Sequence, residues 1–254
     1  MGTVNLLEVL KNNKKVKSVV IITTDKVYQN YKSKKLFNEN SSLGGDDVYS
    51  GTKACCELLI NSYRKSFFSK KNNVCNIASV RAGNCFGGGD WTKDRIVKDA
   101  LENFYDNKTL LLRNPAATRP WQHVMEPITG YLLLAERLYL KKQGKNFSCS
   151  WNFGPKSNQN MQVKKLALLI KKNMNSSSKI KIKKKDKRFH NKKINIFESK
   201  YLQIDSTKAF KKLNWKPKLT IQQAVLLTVE WYKDFKKNKD LFIKTKKQIQ
   251  NYLN

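Results

Sequence analysis

A chain of 254 residues, 40% of them hydrophobic, has the apolar content to bury the core of one large domain or two interleaved ones, which excludes a disordered tail. Its 51 Lys and Arg against 19 Asp and Glu leave a formal charge of +32, so nucleic acid is the first partner to weigh. The lysines are scattered almost evenly, as solvated surface positions are. Only residues 179–193 (KIKIKKKDKRFHNKK) are dense enough to form a patch, and neither an RNP aromatic pattern nor zinc-finger spacing accompanies them, so a nucleic-acid partner is not expected.

Five cysteines (Cys55, Cys56, Cys75, Cys85 and Cys149) are odd in number and form no C-x-x-C pair, which argues against a disulfide framework or a zinc site and fits a reducing cytoplasm. The two histidines, His123 and His190, are too far apart in sequence to suggest a metal centre, so none is expected. No signal-peptide pattern and no apolar stretch of bilayer-spanning length is found, so no membrane association is expected.

In chain order, residues 2–11 place Val4, Leu7 and Leu10 on one face of a helix, and the β-branched run 16–24 reads as a strand covered on both sides. Residues 46–68 read as a long helix with Ala54, Cys55, Leu58, Leu59 and Ser62 as its inner stripe, and 74–83 as the next strand. Helix, strand, helix, strand implies an α/β protein with a parallel sheet and helical crossovers. Further on, 95–105 carries Ile96, Val97, Ala100, Leu101 and Phe104 at helical spacing. Residues 109–113 suggest a short strand and 128–140 another helix. From 163–172 onward short amphipathic helices dominate, including 206–213 and 220–232, the last with Thr220 and Gln223 in capping-box spacing.

The G-x-G-x-x-G loop that usually opens a dinucleotide-binding sheet is not present, and GGGD at 87–90 lacks its spacing. The chemistry must come from elsewhere. Tyr49 and Lys53, four apart at the start of a helix, share a face, and an ammonium beside a phenol favours the phenolate, which can take a proton from an alcohol. Such a pair also arises by chance in a lysine-rich helix. Thr24, Asp25 and Lys26 follow the first strand, and loops at the carboxyl ends of parallel strands are where α/β folds place ligands, so the two groups are expected to face one crevice.

The segments TTDKVY (23–28), YSGTK (49–53), RAGNCFGGGDW (81–91) and RNPAATRPWQHV (113–124) together resemble extended short-chain dehydrogenases/reductases of the nucleotide-sugar 4,6-dehydratase group. The similarity runs from residue 2 to about 140, and residues 201–232 also resemble that group's carboxyl-terminal region. The resemblance implies a partial Rossmann-like, doubly wound parallel sheet with an interleaved smaller α/β substrate-binding region. Residues 1–90 would be the remainder of the NAD-binding domain and 91–254 mainly the substrate region, with parts of 121–155 returning to the sheet.

It also implies a role for each site residue. NAD+ would oxidise the C4 hydroxyl of a nucleotide-glucose, CDP-glucose in the closest pattern, with Tyr49 as base, Lys53 on the nicotinamide ribose, and Ala82 and Gly83 lining the cofactor. Thr24 would hydrogen-bond the C4 oxygen, and Asp25 would protonate the hydroxyl leaving C6. Lys26 stands where dTDP-glucose relatives carry a glutamate base, and a lysine serves as a C5 base only when neutral. Asn84, Arg95 and Arg119 would hold the diphosphate, the arginines by bidentate geometry. Trp91, His123 and Glu198 are further substrate candidates, and Trp91 and Trp121 are equally suited to core packing. The product would be CDP-4-keto-6-deoxyglucose, toward deoxysugars of the O-antigen type, and the full-length enzyme a homodimer through a bundle that includes the helix from Asp47.

Two departures stand out. The group's R-x-G-[DE] segment near Glu198 is replaced by the lysine run, which leaves the nucleotide base open. The glycine-rich first half would be expected ahead of Gly2 as roughly 100 residues, since each βαβ unit takes about 30; this chain alone is therefore expected to be a fragment that binds NAD weakly and turns over little. A nucleotide-sugar epimerase or reductase of the same fold, and a basic nucleic-acid-binding module, are the alternative readings.

Overall fold

A computed structural model describes residues 1–30, 35–69, 74–156, 159–183 and 201–254. Glu198, His190 and the lysine run from residue 184 on lie outside the described residues. The chain forms two compact units that interleave in sequence: Met1–Gly83, Pro127–Ser157 and Leu202–Lys216 make the first, and Asn84–Glu126, Asn158–Tyr201 and Pro217–Asn254 the second.

The first unit begins with helix α1 (Gly2–Asn12) and strand β1 (Ser18–Ile22). Helix α2 (Val48–Tyr63) continues as a π-helical stretch over Arg64–Phe68 and leads to β2 (Asn76–Ala82). The second unit's β3 (Asn84–Phe86), α3 (Ile96–Tyr105), β4 (Leu110–Leu112), β5 (Thr118–Arg119) and β6 (Trp121–His123) follow. The chain then returns to the first unit through α4 (Met125–Tyr139), α5 (Lys141–Gly144) and β7 (Ser150–Phe153). Next come β8 (Met161–Gln162), α6 (Val163–Met174) and β9 (Ile180–Ile182) of the second unit, α7 (Thr207–Leu213) of the first, and α8 (Ile221–Lys236) and α9 (Leu241–Leu253) of the second.

In the first unit β1, β2 and β7 form a parallel sheet in that order, with Ser18 opposite Asn76 and Ala82 opposite Phe153. Alternation along β2 explains why both faces are covered. Cys75 and Ile77 point with Val19 and Ile21 toward Leu7 and Leu10 of α1 and Ile60 of α2, whereas Ala78 and Val80 point toward Leu134 and Leu138 of α4 and Leu213 of α7. Full burial of a Val, Leu or Ile side chain among these contributes about 1.5–3 kcal/mol.

The inner face of α2 differs from the sequence expectation. Ser50, Ala54, Glu57 and Ile60 are the buried residues, while Leu58 is 55% exposed and Cys55 and Ser62 also face outward. Apolarity misleads here because the inward stripe contains a charged residue with a matched partner. Glu57 and Arg81 are 1% and 2% exposed and 2.8 Å apart. Glu57 also accepts from Thr23 Oγ1 at 2.5 Å and Ser79 Oγ at 2.7 Å. Arg81 donates to the Tyr28 hydroxyl at 2.8 Å, which donates to Asn152 Oδ1 at 2.6 Å, and the Asn152 amide donates to the Phe37 and Asp205 carbonyls. Burial alone would push the Glu57 carboxyl up, but the Arg81 guanidinium and the Thr23 and Ser79 hydroxyls reverse that and hold it below the usual carboxylate range.

The second unit packs α3, α6 and α8 around Phe104, Leu101, Leu166, Ile170, Val225 and Val229. Its strands are short: β3 pairs with β6 and β4 with β9 in parallel, and β5 with β8 antiparallel. The capping box of Thr220 and Gln223 opens α8. Strand β9 was not expected, because three residues of alternation at the head of a lysine run carry too little signal. Among the described residues, no helix is long and apolar enough to cross a membrane.

Removing one partner of the buried pair leaves the other charge uncompensated, which costs about 3–5 kcal/mol. Glu57→Ala is expected to lower the urea midpoint accordingly, and an unchanged midpoint would mean that the pair carries no such cost.

Candidate active site

β1 leaves the sheet at Thr23, whose backbone N–H donates to the Val80 carbonyl at 2.9 Å. Thr24 caps the single 3-10 turn Asp25–Val27: its hydroxyl accepts from the Lys26 N–H at 3.3 Å and donates to Asp25 Oδ1 at 3.3 Å. Val27 and Tyr28 anchor this turn among Phe37, Ala54, Leu202 and Ile204, with the Tyr28 and Phe37 rings stacked at 5.1 Å. Thr24 and Asp25 are buried, and Lys26 is exposed.

The chain then doubles back along the turn, the Gln29 N–H donating to the Ser42 carbonyl at 2.9 Å and the Gly44 N–H to the Val27 carbonyl at 2.8 Å. Gly45 permits the close approach that follows, since a Cβ there would lie 2.4 Å from Ser50 Oγ. Asp47 forms a capping box with Ser50 and starts α2. The first turn of the helix is thereby laid against the 3-10 turn. Lys26 Nζ lies over the ring of Tyr49, 5.8 Å from its centroid, in cation–π contact. Partial burial works to raise the Asp47 carboxyl, yet hydrogen bonds from Ser50 and the Tyr49 N–H, with the Lys26 charge, hold it below the usual range.

Tyr49 is 50% exposed and Lys53 partly buried one turn further along. β2 ends on the same edge, because Ile22 pairs with Val80 in a parallel register, and it delivers Ala82 and Gly83 there, the Gly83 N–H donating to the Phe153 carbonyl at 3.3 Å. Seven expected site residues of the first unit thus share the carboxyl edge of one parallel sheet: Thr24, Asp25, Lys26, Tyr49, Lys53, Ala82 and Gly83. An acceptor and donor (Thr24), a carboxyl (Asp25), two amines and a phenol can bind a polyhydroxy ligand and move protons on and off it.

In the second unit, Asn84 and His123 lie on the paired strands β3 and β6, with Asn84 opposite Trp121 and Phe86 opposite His123, while Arg119 lies on β5, opposite Met161 of β8. Arg119 is 4% exposed and donates from Nη1 to the Thr118 carbonyl at 2.9 Å. Arg95 is exposed at the start of α3. Trp121 belongs to the core and donates from Nε1 to the Met161 carbonyl at 2.9 Å. Trp91 is half-exposed and packs on α8, 4.6 Å from Phe235 between ring centroids. The glycines before it have a packing reason: a Cβ at Gly88 would lie 2.2 Å from the Trp231 ring, and Gly89 has φ +82°.

His123 is buried beside Phe86, its Nδ1 accepting from the Met125 N–H at 3.3 Å. That bond puts the ring proton on Nε2. Burial lowers its pKa from 6.5 to about 4, so the imidazole is neutral at pH 7. The residues that sequence reasoning missed are Glu57, Arg81, Tyr28 and Asn152. The available signal was a charged Arg81 within an otherwise uncharged strand covered on both faces, which demands an opposite charge. Among the described residues, no group of three or more His, Cys, Asp or Glu side chains is placed to hold a metal ion.

Residues 1–228 match the family model described as GDP-mannose 4,6 dehydratase. The chain is 38% identical over 256 residues to a CDP-glucose 4,6-dehydratase of Salmonella typhimurium, a match that covers all of this chain and 68% of the relative. Among solved structures, the fold is similar to dTDP-glucose 4,6-dehydratase from Bacillus anthracis in complex with NAD (TM-score 0.76, 20% identity, 94% of this chain and 68% of that one). It is also similar to UDP-glucose 4-epimerase from Thermotoga maritima with UDP-glucose (TM-score 0.74, 18% identity, 92% and 69%).

An unfolded chain takes up a proton on this histidine as pH falls below 6.5, while the folded one resists until about pH 4. Stability that His123 contributes is therefore intact above pH 6.5 and is lost through that window, by about 3 kcal/mol at most. The difference in unfolding free energy between the wild type and His123→Gln, followed by urea denaturation, is expected to shrink from pH 7 to pH 4; a pH-independent difference would place a charged or solvated imidazole in the fold.

Proposed function

Because the chain belongs to the nucleotide-sugar 4,6-dehydratase family described by the GDP-mannose 4,6 dehydratase model, we propose that it carries the proton-transfer and substrate-holding residues of an NAD-dependent dehydratase that converts CDP-glucose to CDP-4-keto-6-deoxyglucose. The observation that carries this reading is the contact of Lys26 with the Tyr49 ring, which joins the Thr24–Asp25–Lys26 turn to the Tyr49–Lys53 helix at one sheet edge. The 38% identity to a CDP-glucose 4,6-dehydratase supports the choice of sugar nucleotide.

The residues present suit the cofactor. A half-exposed phenol and a partly buried lysine amine on one helix face suit the hydroxyls of a nicotinamide ribose at a sheet's carboxyl edge. Tyr49, Lys53, Ala82 and Gly83 would hold it. When bound, NAD+ would supply a reversible hydride carrier, taking the hydride from C4 and returning it to C6.

Thr24 hydrogen-bonds the C4 oxygen while Tyr49 acts as phenolate and takes its proton, Lys53 stabilising the charge that the phenolate carries before the transfer. The C4 ketone acidifies the C5 proton. In the elimination the C5–H bond breaks with its proton passing to Lys26, and the C6–O bond breaks as Asp25 protonates the departing hydroxyl, so that one water leaves. Lys26 can accept that proton only through a free amine lone pair. Asn84, Arg95 and Arg119 grip the diphosphate. The outward apolar residues of α1 and α2, Leu6, Val9 and Leu58 at 44%, 68% and 55% exposure, support a homodimer built on those helices.

With NAD+ in excess, turnover of CDP-glucose is expected to exceed that of dTDP-glucose. Asp25→Asn is expected to lose the dehydrated product about 10²-fold or more and to stop at a 4-keto hexose that keeps its C6 hydroxyl, seen by mass spectrometry. Full activity in Asp25→Asn would favour a 4-epimerase or reductase, which has no use for that acid.

A further inference from the structure

Glu57 lies two helical turns beyond Tyr49 and one beyond Lys53, on the covered side of α2. Its carboxylate draws together four side chains from all three strands of the sheet: Thr23 immediately after β1, Ser79 and Arg81 in β2, and Ser150 in β7, whose hydroxyl donates at 3.4 Å. The Thr23 bond is the shortest, at 2.5 Å. Thr23 is covalently joined to Thr24, and the helix between residues 57 and 49 is an unbroken α-helix, so this bond ties the helix to the start of the Thr24–Asp25–Lys26 turn; the same hydroxyl also reaches the Val80 carbonyl at 3.1 Å. The buried ion pair to Arg81 holds the carboxylate charged and in place while it accepts from Thr23.

We infer that Glu57, acting through Thr23, is a positioning residue that sets the register between the helix bearing Tyr49 and Lys53 and the turn bearing Thr24, Asp25 and Lys26. Two contacts then align the turn and helix, the Lys26–Tyr49 contact at the exposed end and the Thr23–Glu57 bond at the buried end. A displacement of about 1 Å between groups that must both reach one hexose is enough to cost about 10²-fold in rate. The kinetic consequence rests on the dehydratase reading above, whereas the structural one does not.

Thr23→Val tests this more cleanly than any change at Glu57, because it keeps the shape of the side chain and leaves the Arg81 pair intact. Hydrogen exchange followed by mass spectrometry is expected to show at least about tenfold faster exchange in residues 24–27 and 48–53 of Thr23→Val, with 76–82 unchanged, and Thr23→Ser is expected to restore wild-type rates. In turnover of CDP-glucose, Thr23→Val is expected to lower kcat about 10- to 100-fold at unchanged KM, again rescued by serine. Unchanged exchange in both segments, or faster exchange spread evenly over residues 1–83, would overturn the inference. Turnover of dTDP-glucose in preference to CDP-glucose would strike the substrate assignment and leave the exchange result to decide the positioning role.

Discussion

Inside the first unit, a carboxylate from α2 and a guanidinium from β2 are withdrawn almost completely from water at 2.8 Å separation, and the carboxyl edge of the sheet is organised around them. Desolvating two charges is expensive, and their attraction offsets that expense only with good geometry and with the remaining lone pairs and protons satisfied. Here Thr23, Ser79 and Ser150 donate to Glu57, and Tyr28 accepts from Arg81 before passing the chain of bonds on to Asn152, while the buried Arg81 Nε has no hydrogen-bond partner among the described residues. A pair bound this way tolerates few alternative placements of α2 on the sheet. It therefore constrains position, and α2 is the helix on which Tyr49 and Lys53 are carried.

A second constraint operates above it. The loop that leaves β1 makes one 3-10 turn capped by Thr24, and the following segment is tied back to that turn by backbone hydrogen bonds before Asp47 restarts helical structure. Each step has a local cause: a threonine hydroxyl for the cap, a glycine at position 45 where a side chain would collide with Ser50, and an acidic capping box. The result is a turn with a buried acid and an exposed amine resting on the ring of a half-exposed tyrosine. Such a cluster of carboxyl, amine, phenol and hydroxyl groups at the mouth of a parallel sheet suits the proton transfers proposed for it, and the second unit carries its own set of candidate anion-binding side chains in Asn84, Arg95 and Arg119.

Much of this was legible in the sequence. Continuous β-branched runs at 16–24 and 74–83 announced strands buried on both faces, and the structure pairs them in parallel. The spacing of Val97, Ala100, Leu101 and Phe104 predicted the buried face of α3. Thr24 through Lys26 and Tyr49 with Lys53 were expected at one crevice, and the Lys26–Tyr49 contact brings the two groups together. The inner stripe of α2 was misread because hydrophobicity is a sound guide to burial only where buried charges lack partners, and Glu57 has one 24 residues away in sequence. Strand β9 escaped notice because an Ile-Lys-Ile triplet is too short to separate from its lysine-rich surroundings. The triple glycine at 87–89 looked like part of a recognition motif, and its packing role became visible only once Trp231 was seen against Gly88.

The central claim is that the turn after β1 and the first turn of α2 act on one hexose in a self-contained redox cycle. The most direct measurement is the fate of deuterium placed at C4 of CDP-glucose, followed by NMR of the product formed with NAD+ in excess. Intramolecular arrival of the label at C6, abolished in Tyr49→Phe, is the predicted result. Product whose label remains at C4 or has been lost to solvent, or transfer that persists without the Tyr49 phenol, would contradict the account.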